Sequence, residues 1–168
     1  MTRLYNLLAA GAAGLTLATG AFAQTADDTI VVGISADINT LDPSAIASRD
    51  NSNIARHIFA TLFSMGGDGV ARPELANTLD ISEDGKAYVY TLNEGLTCHD
   101  GEPLTAEDAA YSFNRAADPD NAFTGNTPGF VFSSIDFQSA KALDDLRVQV
   151  NIGAKNPIAF GLIAEVFI

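Results

Sequence analysis

The chain is short of positive charge. Nine Lys and Arg stand against 21 Asp and Glu in 168 residues, a formal net charge of −12. That balance excludes nucleic acid and anionic membrane surfaces as partners, because both are held by clustered basic side chains. The acids are scattered, with no run of five or more, and read as a solubilising coat rather than an acidic tail. Cysteine is nearly absent as well. Cys98 stands alone, so no internal disulfide can form, and on a strand-like pattern it is expected as a small buried apolar residue. A reactive thiol would need a lowered pKa and exposure. The only two histidines are His57 and His99. A metal site needs several His, Cys or carboxylate ligands converging at set spacing, so neither is expected to ligate, and no cofactor is implied. There is no phosphate-cradling G-x-x-x-x-G-K-[ST] and no G-x-S-x-G elbow. Asp118-x-Asp120-Asn121 starts like a calcium loop, but Ala122, Phe123 and Gly129 occupy positions that would need a ligand, a Gly and a Glu. The pairs Glu107-Asp108 and Asp144-Asp145 are sequence neighbours, which point to different faces and do not share a site. With no catalytic set, an enzyme is not expected.

A membrane-spanning run is missing too, although the N-terminus is apolar. Arg3 precedes Leu7–Leu17, made mostly of Leu, Ala, Gly and Thr, and Ala21-Phe22-Ala23 forms a small-x-small step before Gln24. This is the pattern of a cleaved secretory leader over residues 1–23. The run falls short of the roughly 20 apolar residues that a bilayer span needs. No Cys follows the expected cleavage between Ala23 and Gln24, so neither a lipid nor a stable membrane anchor is implied. The expected product, residues 24–168, is periplasmic and long enough for one domain with its own core.

What is present alternates between element types. Thr29–Ile34 is a β-branched apolar run, the pattern of a strand buried on both faces. Asp37–Ser48 reads as a loop around Asp42-Pro43. Asn51–Ser64 reads as a helix with Ile54, Ile58 and Leu62 on one stripe and Ala55, Phe59 and Phe63 beside it. Thr78–Ile81 and Tyr88–Leu92 form a hairpin around Glu83-Asp84-Gly85-Lys86, with Gly85 at positive φ. Thr105 caps the next helix, with Asp108 in the place of a capping-box acid, and Ala106, Ala109, Ala110 and Phe113 face inward until Asp118-Pro119 ends it. Residues 121–134 are rich in Gly, Asn, Thr and Pro and read as a surface loop. Leu146, Val148, Val150 and Ile152 alternate with polar residues as a half-buried strand. Asn156-Pro157 suggests a cap followed by Pro at the first helical position, opening an apolar helix over Ile158–Ile168.

The order of these pieces carries a resemblance. Residues 80–101, DISEDGKAYVYTLNEGLTCHDG, with Pro103-Leu104-Thr105-Ala106, Asp108, Ser112 and Arg115 after them, resemble the signature region of the family 5 solute-binding proteins of bacterial ABC importers. That family reads S-x-D-G-x-x-Y-x-F-x-L-R-x-G-V-x-F-H-D-G-x-P-L-T-A-x-D-V-x-x-S-x-x-R. Leu41-Asp42-Pro43, Asp68-Gly69, Arg72-Pro73-Glu74-Leu75-Ala76 and Asp118-Pro119 fall in the family's order, as does the strand at 146–152. Asn93 stands where the family usually has a basic residue, and Cys98 where it has Phe or Trp. Both departures lie in the structural hairpin.

The resemblance implies an α/β fold, mixed α+β over this stretch, of the type II periplasmic-binding-protein kind, N-terminal portion only. Family members are roughly three times this long, a size that implies two lobes and a hinge. Residues 24–168 are expected to be the first part of lobe one with its inserted small subdomain, a truncated fragment. Val31, Ile34, Phe160, Phe167 and Ile168 would then be left partly exposed. The implied function is the substrate-binding component of an ABC importer for peptides or similar small polar solutes, with permease subunits as its membrane partners. The competing reading is a secreted, non-catalytic interaction or structural protein. Solute would lie between lobes at strand ends. The candidates to reach it are Asp37, Asn39 and Thr40 in the first loop, and Arg49, Asp50 and Asn51, where a helix N-terminus offers free N–H groups.

Overall fold

The computed structural model describes residues 29–168, in two bodies, 29–33 and 34–168. The leader expected over 1–23, with Ala23 and Gln24, lies outside the described residues. Residues 29–33 have no regular secondary structure, and the run 29–34 forms no strand. A strand exists only where a neighbour supplies ladder hydrogen bonds, and none of the described strands pairs with this run. Ile30, Val31 and Val32 are accordingly exposed.

The second body is built on a four-stranded antiparallel sheet. In chain order the strands are β1 (Phe63–Met65), β2 (Ala71–Pro73), β3 (Ala76–Ile81), β4 (Ala87–Leu92), β5 (Phe137–Ala142) and β6 (Arg147–Ile152). The first two form a small hairpin, and the rest pair in the order β3-β4-β6-β5. The central pair sets the register, with Tyr88 opposite Val150 and Tyr90 opposite Val148. Alternation puts Tyr88, Tyr90 and Leu92 with Val148, Val150 and Ile152 on one buried face. The expected hairpin is present, and Gly85 adopts φ +68 in its turn.

Helix α2 (Ala106–Ala117) closes that face with Ala106, Ala109, Ala110, Phe113 and Ala116. Its start is a full capping box. Asp108 N–H donates to the Thr105 hydroxyl, and Thr105 N–H donates to the Asp108 carboxylate. The Thr105 hydroxyl, and after it the Thr105 N–H, donate to the Asp108 carboxylate and hold it below its usual range. Asn114 anchors the far side of the helix on β5, its amide donating to Ala140 O at 2.7 Å and accepting from Ala140 N–H at 2.9 Å.

The helix expected over Asn51–Ser64 is shorter. Helix α1 spans Arg49–Ala55, and the next donors, His57 N–H and Ile58 N–H, reach back only three residues, to Ile54 and Ala55. Tertiary partners then claim the segment from Thr61 onward. Thr61 donates its N–H and hydroxyl to Glu74, and Phe63 pairs with Pro73. Leu62 is fully buried from this extended segment, while Ile58 is exposed.

The loop reading of 121–134 holds only for its first part. Thr127–Phe132 is a π-helical turn running into the short helix α3 (Ser133–Ile135). Its anchor is Phe132, stacked on Phe137 with centroids 4.2 Å apart and on Phe113 at 6.1 Å. Strand β5 has little alternation of its own and is selected by pairing with β6.

At the C-terminal end the apolar helix is one short turn, α4 (Ala159–Ile163). Asn156 and Pro157 lie in a turn before it, with Ile158 N–H donating to the Asn156 carboxamide. The chain then extends. Phe167 bridges to Thr61, and Ile168 N–H donates to Ala60 O. Phe167 is therefore buried against Phe59, with the Arg56 guanidinium over its ring, rather than exposed. Phe160 and Ile168 are half-buried, and Val31 and Ile34 are exposed as expected. Cys98 is half-buried in a turn and not on a strand, because β4 stops at Leu92. Among the described residues, no helix is long and apolar enough to cross a membrane.

Candidate functional site

The segment 37–48 is organised by its own side chains. Asp42 N–H donates to the Thr40 hydroxyl, and Ser44 N–H donates to the Asp42 carboxylate, starting a 3-10 turn over Pro43–Ala45. Ser48 then caps α1 by accepting from Asn51 N–H. Two further contacts fix this segment in space. The Arg115 guanidinium on α2 donates to both Asp42 carboxylate oxygens, at 2.6 and 3.0 Å, and to the Ser44 hydroxyl at 3.2 Å. Phe123 lies under the Arg115 guanidinium, 4.6 Å from ring centroid to Cζ. The hydrogen bonds from Arg115 hold the Asp42 carboxyl below its usual range and raise the arginine in turn. On the other flank Asn126 N–H donates to Ile46 O at 2.7 Å. Gly125 lies so close that a Cβ there would sit 2.3 Å from Ser44 O.

The residues singled out in the sequence separate into three groups. Asn39, Thr40 and Asn51 come together. Asn51 is 2 % exposed, and its amide donates to Asn39 Oδ1 at 2.6 Å and to Thr40 O at 3.2 Å. Asp50 accepts from the Ser35 hydroxyl and from Ala36 N–H, so its carboxylate serves the preceding chain. Asp37 and Arg49 are exposed, and their side chains form no hydrogen bond or ion pair with a described residue. The N–H groups of α1 are not an open anion cradle either, since Asn51 N–H and Ser52 N–H are taken by Ser48.

Arg49 lines an open pocket of about 300 Å³ with Ala47, Ser48, Ser52, Asn53, Arg56, Asn126 and Glu165. Within it Arg56 is paired with Glu165 at 2.7 Å. Sequence reasoning found Arg49 but not Ser52, Asn53 and Arg56 on the same helix face, nor Asn126 and Glu165, which nothing local marks as neighbours of a residue so far away in the chain. The frame was half visible. Leu41-Asp42-Pro43 is legible in the sequence, but its pairing with Arg115 is not.

The other titratable candidates lie elsewhere. His57 and His99 are exposed in turns. The Cys98 thiol is pushed up by burial first and then by Asp108, Asp100 and Glu102, the opposite of what a nucleophile needs. Asp118 accepts from Asp120 N–H in a simple turn. Among the described residues, no three His, Cys, Asp or Glu side chains converge as a metal site.

Known proteins share both the sequence pattern and the fold. The model of the bacterial extracellular solute-binding proteins, family 5 (middle) matches residues 70–168. The probable deoxycholate-binding periplasmic protein YgiS of Escherichia coli is 34% identical over 128 residues, which are 69% of this chain and 24% of that protein. The glutathione-binding protein GsiB of Pectobacterium atrosepticum is 30% identical over 84% of this chain and 26% of its own length. Among solved structures, the Listeria monocytogenes substrate-binding protein CtaP matches with a TM-score of 0.67 at 32% identity, over 80% of this chain and 26% of that one. Listeria monocytogenes OppA, bound to peptide, matches with a TM-score of 0.69 at 24% identity, over 80% of this chain and 29% of that one. The chain thus spans about a quarter of the length of the relatives it matches.

Proposed function

We propose, from the premise that the chain belongs to the bacterial extracellular solute-binding proteins of family 5, that it supplies part of the solute site of an ABC importer for peptides or similar small polar molecules. The observation that carries this reading is the pocket at Ala47–Arg56. It is lined almost wholly by polar side chains, and the Asp42–Arg115 and Ile46–Asn126 contacts hold one of its walls in place. Related proteins are named for deoxycholate, dipeptide and glutathione binding, which supports a small solute as the cargo. Arg49 is the residue assigned to touch it. Asn39, Thr40, Asp50 and Asn51 hold the loop and α1 in place, and Asp37 is exposed and does not line the pocket. The whole importer component works in the periplasm with membrane permease subunits. Its leader, residues 1–23, directs export and is removed between Ala23 and Gln24. N-terminal sequencing of the exported protein should begin at Gln24, and mature protein retaining residues 1–23 in the membrane fraction would refute this.

The residues present supply only a share of the site. Binding proteins of this kind gain much of their contact when two lobes close. Titration calorimetry of the chain with di- to pentapeptides and glutathione should therefore show no saturable heat at micromolar concentrations. A one-to-one curve in that range, about −8 kcal/mol, would show that these residues suffice. The competing reading, a secreted non-catalytic interaction protein, predicts no solute contact at the pocket even at millimolar concentration.

A further inference from the structure

We infer that the Arg49 pocket selects solutes by a carboxylate group. The inference rests on the reading of the pocket as part of a solute site and adds the chemistry that the site recognises. Two observations support it. First, the charges around the pocket do not cancel. Arg56 is neutralised by Glu165 at 2.7 Å. Asp50, the nearest acid in sequence, turns its carboxylate to Ser35 and Ala36 and does not line the pocket. Arg49 is left as a cation with no hydrogen-bond or ion-pair partner among the described residues. Second, the remaining lining is rich in donors. Ser52, Asn53 and Asn126 contribute a hydroxyl and two carboxamides that bond to no other described side chain, and Ser48 Oγ accepts from Asn51 N–H and keeps its own proton to donate. A guanidinium beside hydroxyl and amide donors matches a carboxylate, which accepts through two oxygens in the plane that the arginine fork presents. The protein as a whole carries a net charge of −12, which repels anions, so these local groups must outweigh that field.

Glu165 takes a second role in this arrangement. By holding Arg56 it limits the pocket to one free cation, and so to one carboxylate. Loss of the Glu165 charge would release Arg56 and strengthen anion binding.

The test uses the isotope-labelled chain and backbone amide NMR, with sodium acetate, N-acetylglycine, N-acetylglycinamide and trialanine as probes and sodium chloride at matched ionic strength as the control. Acetate and N-acetylglycine should shift the amides of Ser48, Arg49, Ser52 and Asn126 in a saturable, millimolar manner. Chloride and the neutral amide should not. Arg49→Gln should weaken acetate binding about tenfold, the loss of one charge-assisted hydrogen bond, and Glu165→Gln should tighten it. Both sites are solvent-facing, and unchanged spectra elsewhere will show that the fold is kept. Equal shifts from N-acetylglycinamide and N-acetylglycine would overturn the carboxylate inference and leave the solute site standing. Acetate binding without any trialanine response would keep the carboxylate site and count against peptides as the solute. Absence of any shift with acetate, or identical affinity in Arg49→Gln, would overturn the inference outright.

Discussion

Arg115 grips Asp42 with two parallel hydrogen bonds although the two residues are 73 positions apart. The pair joins α2, which packs on the four-stranded sheet, to the loop that leads into α1. Two-pronged guanidinium–carboxylate contacts are among the stronger surface interactions, but both side chains remain about one third exposed, which screens them. Arg115→Met should cost about 1 kcal/mol in urea unfolding. The pH dependence gives a sharper check. Asp42 titrates lower in the folded chain than its ordinary value of 3.8. Its contribution is therefore complete above that value and fades as pH falls through the folded pKa. Wild type should lose stability below about pH 4 more steeply than Arg115→Met. Equal slopes in the two proteins would show that the pair is not a stabilising contact.

Gly125 should tolerate no side chain. A Cβ there would meet Ser44 O at 2.3 Å, Ala45 C at 2.8 Å and Ile46 N at 2.9 Å, all backbone atoms that cannot swing aside. Gly125→Ala should destabilise by about 1–3 kcal/mol and expose the Asn126–Ile46 hydrogen bond to amide exchange. Unchanged protection at Asn126 would contradict the close packing.

Tyr90 holds a hydroxyl that is buried without a hydrogen-bond partner among the described residues, and burial raises its pKa. A desolvated, unpaired hydroxyl is a cost to folding, so Tyr90→Phe should raise stability by about 1 kcal/mol. The Phe63 ring, 6.0 Å away, keeps its packing partner in the variant. A loss of stability in thermal unfolding would mean that the hydroxyl has a partner in solution.

Gly85 sits at φ +68 in the β3–β4 turn. A β-branched side chain there pays about 1–2 kcal/mol for the left-handed backbone, and its Cβ would also press on Lys155 Cγ at 2.7 Å. The lysine can move, so the backbone sets the cost. Gly85→Val should lower the melting temperature, whereas Gly85→Asn, which accepts positive φ more readily, should recover much of the loss.

What the sequence disclosed was local. The Glu83–Lys86 turn, the Thr105–Asp108 box and the alternation of Val148, Val150 and Ile152 each depend on residues within a few positions of one another, and each appears in the fold. The misreadings lie where a distant partner decides. Leu62 fits a helical stripe with Ile54 and Ile58, yet Glu74 and Pro73 draw that segment into an extended form. Phe132 lies in a stretch whose composition suggests a loop, yet Phe113 and Phe137 hold it in a helical turn. At the site, Arg49 was readable as a cation beside a helix start. Its neighbours Asn126 and Glu165 arrive from segments far along the chain.

The Asn114 side chain has a consequence for association. Strand β5 ends the sheet, and its outward-facing Ala140 N–H and C=O are both taken by the Asn114 carboxamide. The side chain imitates the peptide group of a further strand and occupies the place where another chain would add. The sheet is thereby blunted on one side. Asn114→Ala would leave the Ala140 N–H and C=O on that rim without this partner.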